Sequence, residues 1–105
     1  TGWGEKWDDP FAFVEGYPGL DEEASNWLID QGIVNLCTDA PSTDHPADLT
    51  YPNHRIHGER CVVHTEMVHN LTRIPVHHGF WVMFFPLRLE GGTGSPARAI
   101  AVWEA

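Results

Sequence analysis

Seven histidines stand in this chain, and all of them fall between His45 and His78. Carboxylates at Asp39, Asp44 and Glu66 lie in and beside the same stretch. Imidazole nitrogens and carboxylate oxygens are the usual ligands of divalent metals. A metal-activated water needs such groups brought together from several elements. Here Asp39 and Asp44 follow an expected strand, His54 opens an expected helix, and Glu66 ends the next expected strand. Strand ends and their adjoining loops are where α/β folds gather their sites. No HExxH spacing is present, so spacing alone leaves two readings open: metal ligands, or surface histidines and solvated acids.

The elements that must carry these residues can be read along the chain. Thr1 to Tyr17 reads as a strand end and a long loop, with Trp3, Trp7, Phe11, Phe13 and Tyr17 set among Gly, Asp and Pro. Pro18-Gly19 is a turn signal. A helix is expected from about Asp21 to Gln31, with Asp21 as N-cap, acidic residues in the first turn, and Ala24, Trp27, Leu28 and Gln31 on one face. Gly32 stands where a terminating glycine belongs. Ile33 to Thr38 reads as a buried strand. Helix, glycine and buried strand in succession are an α/β signature. Asp39 to Pro52 is a proline-rich loop, and Asn53 to Arg60 a short helix capped by Asn53. Cys61 to Glu66 is a strand, and Phe80 to Leu89 and Ala97 to Trp103 can pair as a hairpin around the glycine-rich stretch Gly91 to Pro96.

A chain of 105 residues is one small domain. Alone it buries only part of its apolar surface, so it either sits at the low end of self-sufficiency or packs against a partner. Acidic residues number 15 against 6 basic ones, a net charge of −9 that repels phosphate backbones and argues against nucleic-acid binding. The most apolar run, Phe80 to Leu89, is too short to span a bilayer. No basic amphipathic stretch suggests a membrane surface, and no signal peptide is visible. Cys37 and Cys61 lie in apolar runs and read as buried thiols, which leans towards a reducing, cytoplasmic setting.

Four stretches resemble the C-terminal half of the cyclase family of metal-dependent hydrolases, which includes bacterial kynurenine formamidase and isatin hydrolase. They are Thr1-Gly2-Trp3, then Pro18 through Gly32 to Asp39-Ala40-Pro41-Ser42-Thr43-Asp44. The third is Pro52 to Leu71, where His54 and Glu66 stand twelve apart, and the last is Phe85 to Ala101. They cover nearly the whole chain in the family's order. The resemblance implies a swivelling β/β/α domain with a barrel-like mixed sheet, of which residues 1–105 would be the C-terminal half. The family's leading motif, H-x-G-T-H-x-D-x-P, is absent from this sequence, so a missing N-terminal half is expected to supply the primary ligands. Without it the chain is expected to be inactive.

By position the resemblance makes His54 and Glu66 the residues that complete the metal site or line it beside the substrate. The implied chemistry is arylformamidase-like. A water activated by zinc or manganese attacks an amide, lactam or lactone carbonyl, and a nearby histidine protonates the leaving group. The family also implies homodimers or higher oligomers. Trp3, Trp7 and Phe11 suit either an aromatic substrate pocket or the packing of their own loop. His57 can share a helix face with His54, and His64 a strand face with Glu66. Asp39 and Asp44 are expected to fix their loop through backbone hydrogen bonds. Gly91 to Pro96 lacks the lysine of a phosphate-binding loop. Two other readings stand beside the hydrolase. One is a non-catalytic metal- or partner-binding domain, and the other an N-terminal-threonine hydrolase subunit using Thr1 with its own amine as base.

Overall fold

The computed structural model describes residues 1–104. They divide into two compact units, the first Thr1–Leu71 and the second from Thr72 onward. The first begins with a 3-10 turn, Trp3–Lys6, and a short helix α1 at Pro10–Val14. This corrects the expected open loop. Asp9 caps α1 by accepting the Phe11 and Ala12 N–H groups, and Pro10 sits at the first helical position, where its missing N–H costs nothing.

Helix α2 spans Glu22–Asp30, capped as expected by the Asp21 carboxylate on the Ala24 N–H. Gly32 follows with a φ of 85°, the left-handed conformation that a side chain resists. The buried face differs from expectation. Ser25 and Ile29 are the buried positions, while Trp27 is 60% exposed. Ser25 on that face bonds His57, and Trp27, two residues further on, falls on the opposite side of the helix.

Strand β1, Asn35–Cys37, pairs in parallel with β2, Val63–Thr65, and Leu36 lies opposite His64. Parallel pairing needs a long crossover. The loop after β1 and helix α3, Pro52–Glu59, provide it. Helix α3 is capped differently from expectation. Its N-cap is Tyr51, held at a φ of 51°, with Pro52 at the first helical position. Asn53 lies inside the helix, fully buried, and donates its amide to the Leu20 and Thr43 carbonyls. Both cysteines are exposed rather than buried, because β1 and β2 form a sheet of only two short strands that covers neither.

The second unit carries β3, Trp81–Pro86, and β4, Ala97–Val102, paired antiparallel as the expected hairpin with Trp81 opposite Val102. Among the described residues there are two sheets of two strands each and no closed barrel. The architecture is a small mixed α/β one.

Candidate metal centre

The buried apolar residues are few: Phe13, Ile29, Ala40, Pro52 and Val62. The buried polar ones outnumber them: Ser25, Asp39, Thr43, Asp44, Asn53 and His57. Burying polar groups is unfavourable unless they bond one another, and here they do so around one site. The loop after β1 is tied to β2 and the residues beyond it. Thr38 N–H donates to Thr65, Met67 N–H to Ala40, and Val68 N–H to Thr38. These bonds bring Ser42, Thr43 and Asp44 to Glu66. The Glu66 Oε1 atom accepts the Thr43 N–H at 3.1 Å and the Ser42 hydroxyl at 3.2 Å.

Asp44 is almost fully buried under the first turn of α3. It accepts the Asn53 N–H at 2.7 Å and the His54 N–H at 3.3 Å, and it lies 2.5 Å from His54 Nδ1. Burial would raise its pKa, but the His54 imidazole and the Asn53 and His54 N–H groups together hold it below the usual carboxylate value. The expected backbone bonds are therefore present, and the same carboxylate also orients a ring. With its proton on Nδ1 facing Asp44, a neutral His54 has the lone pair of Nε2 free to hold a metal.

His54 Nε2 is 3.9 Å from Glu66 Oε1, and His64 Nδ1 is 3.8 Å from the same oxygen. One ligand atom from each of His54, His64 and Glu66 lies within 4.8 Å of the other two. Ligands about 2.1 Å from a tetrahedral zinc are about 3.4 Å apart. A small contraction closes the observed set onto an ion. Burial, then the neighbouring His57 and His54 rings, lower the His64 pKa to about 4, so its imidazole is neutral near pH 7, as a ligand must be. The donor set fits a divalent metal.

Sequence reasoning paired His54 with Glu66, and the structure brings these two together. It did not single out His64 as a third donor, although strand alternation had put it on the Glu66 face. It also missed two tyrosines. Tyr51 sets its ring edge-on to His54 with centroids 6.0 Å apart. The Tyr17 phenol lies near Glu66, Asp44 and Ser42, and burial and then the Glu66 carboxylate raise its pKa. Nothing in local spacing links Tyr17 to a residue so far along the chain.

Trp3, Trp7 and Phe11 lie in the N-terminal turns. The Trp3 indole donates to the Phe13 carbonyl at 2.7 Å and lies under Lys6 Nζ. Trp7 rests against Phe13 and His69, and Phe11 is 83% exposed. The Thr1 hydroxyl bonds Asp39, which also accepts the Gly4 N–H at 3.1 Å. Burial opposes ionisation of Asp39, but the Thr1 hydroxyl, the Gly4 N–H and the Thr1 amino group bring its pKa down to about 2.

A histidine-carboxylate centre on a small α/β scaffold defines a class of candidate metalloproteins. Residues 1–45 match the model of the cyclase family, described as "Putative cyclase". The match takes in the first two resembling stretches and Asp44, whereas His54, His64 and Glu66 lie beyond it. No curated protein matches the chain at a significant level.

Proposed function

We propose that the chain carries part of the metal centre of a cyclase-type hydrolase, cleaving an amide, lactam or lactone bond. The observation that carries this reading is the convergence of His54, His64 and Glu66 in a chain whose first 45 residues match the cyclase family model. His54 Nε2, His64 Nδ1 and the Glu66 carboxylate would hold zinc or manganese. When bound, the ion supplies Lewis acidity to a substrate carbonyl and acidifies water.

The chain's own residues account for the rest of the chemistry. Asp44 fixes the His54 ring through Nδ1. Ser42 and Thr43 hold one oxygen of Glu66, which orients that carboxylate towards the donor set. Tyr17, kept protonated by its surroundings, has an O–H to offer a leaving nitrogen or oxygen. Substrate contacts from Trp3, Trp7 and Phe11 belong to the same proposal, as do a companion segment supplying further histidine ligands and an oligomeric assembly. The β3–β4 hairpin supports the last two. Trp81 is 77% and Phe85 54% exposed on one face, and Val82 is 44% exposed on the other. Large apolar side chains open on both faces of one hairpin suit a protein interface.

The test is formate release from an aryl formamide and ring opening of a lactam by the native assembly. The expected result is turnover abolished by chelation, restored by zinc or manganese, and lowered on the order of 100-fold or more by Glu66→Gln. Turnover indifferent to both chelation and Glu66→Gln would refute the proposal.

A further inference from the structure

We infer that Tyr51 is the wall on which a flat group of the substrate rests, a specificity residue that ranks aromatic above aliphatic ligands beside His54. The inference rests on the hydrolase reading for its site, while its test is a binding measurement that needs neither turnover nor metal.

Tyr51 stands where three local rules ask for a different residue. Its φ of 51° and ψ of 54° are left-handed, a conformation that crowds Cβ and that glycine, asparagine and aspartate enter most readily. It precedes Pro52, whose ring favours an extended residue before it. It is also the N-cap of α3, a position suited to serine, threonine, aspartate or asparagine, and its side chain makes no capping bond. Asparagine would meet the first and third of these demands. Backbone bonding explains the shape of the turn. The Tyr51 carbonyl accepts the Arg55 N–H at 3.1 Å, and just before it the Asp48 carboxylate accepts the Thr50 N–H and hydroxyl. None of this calls for a phenol ring.

Packing does not call for one either. Tyr51 is 52% exposed, so burial of its ring offsets little of the strain. Backbone strain that neither capping nor packing accounts for gathers at sites of function. The Tyr51 ring stands at 82° to the His54 imidazole, with centroids 6.0 Å apart, and it neighbours the Tyr17 phenol. The His54 side chain is itself 47% exposed, so the two rings border one opening beside the donor set. An aromatic ring there offers a flat conjugated group an offset-stacked or edge-on partner, which an aliphatic group of equal size cannot match.

The test compares formanilide with N-cyclohexylformamide, its aliphatic counterpart, in NMR titrations of the full chain. The wild type is expected to bind formanilide about 3–10-fold more tightly. Tyr51→Phe should keep this preference. Tyr51→Asn should lose it, with its urea midpoint unchanged or raised. Equal affinities in the wild type, a preference that survives Tyr51→Asn, or one that Tyr51→Phe abolishes overturns the inference. A lowered midpoint in Tyr51→Asn overturns it too, because the ring would then be part of the packing. Zinc titration separates this inference from the hydrolase reading. Tyr51→Asn is expected to bind zinc as the wild type does, since Tyr51 is no ligand, and a parallel loss of zinc would overturn a role in substrate contact. A wild type that binds no zinc sinks the hydrolase reading instead and leaves the formamide preference decisive.

Discussion

Glu66 holds its place through a loop that is distant in sequence, and His54 through a carboxylate ten residues earlier. His64 differs from both, because its neighbours are rings and a helix. Its pKa falls from 6.5 to about 4 on folding, and that of His57 is also lowered, first by burial. The unfolded chain therefore binds more protons than the folded one between these values. Stability rises with pH across that window, is fully present above about 6.5, and is lost as pH falls towards 4. Asp44, depressed in the folded state, adds a loss of the same sign at still lower pH. Urea midpoints of metal-free protein measured from pH 7.5 down to 4.5 are expected to fall steadily. In His64→Gln the fall should be shallower, and an equal slope in both proteins would argue against a buried neutral His64. The candidate site was half legible at this scale. Residue type drew attention to the histidines and acids and the resemblance to the cyclase family named His54 and Glu66, but the His57–His64 contact and the Tyr17 approach depend on how α2, α3 and the loop pack, which no local pattern encodes.

The loop from Asp39 to Tyr51 is positioned chiefly from outside itself. Leu20 N–H donates to the Thr43 carbonyl at 2.9 Å, and Asn53 Nδ2 gathers that carbonyl and Leu20's own. Asn53→Ala leaves these buried carbonyls short of a donor and should cost about 1–3 kcal/mol, read by chemical denaturation. A loss below a few tenths would mean that water takes over the role. Gly19 presses on the same loop. A Cβ there would meet His45 N at 2.2 Å, a backbone atom that cannot step aside. Gly19→Ala should therefore disturb the Asp44–His54 contact and weaken metal binding, whereas Gly94→Ala, with open space around it and no positive φ, should leave metal binding unchanged. Equal behaviour of the two variants would contradict the close approach. Helix α2, its Asp21 cap and the hairpin pairing were readable because capping chemistry and alternation are local. The short α1 and the face of α2 were not. Asp9-Pro10 is as much a turn signal as a helix start, and the buried face of α2 holds Ser25, whose partner His57 lies on another element.

At the scale of the whole molecule, the imbalance between apolar and polar burial is the governing feature. Five apolar side chains, Pro52 among them, are buried in the described structure, whereas Trp81, Phe85, Leu87, Leu89 and Leu49 are more than half exposed. Large apolar side chains left open in this way suit association with a partner. In light scattering the isolated chain is expected to self-associate, and Trp81→Ser with Phe85→Ser to reduce this. A monodisperse monomer that buries no partner would contradict the interface proposal. The expected barrel did not appear because every strand here finds a single neighbour, and length and composition alone do not reveal which strands lack further partners. Among the described residues no helix is long and apolar enough to cross a membrane.

The donor set is the central claim, and X-ray absorption on the zinc-loaded full chain, joined to calorimetric titration, tests it most directly. One zinc per chain is expected, with imidazole nitrogens and a carboxylate oxygen at about 2.0–2.2 Å, and with binding lost in both His54→Ala and Glu66→Gln. Zinc held equally well by the His54→Ala, Glu66→Gln double variant would contradict the account, because the ion would then be bound somewhere else.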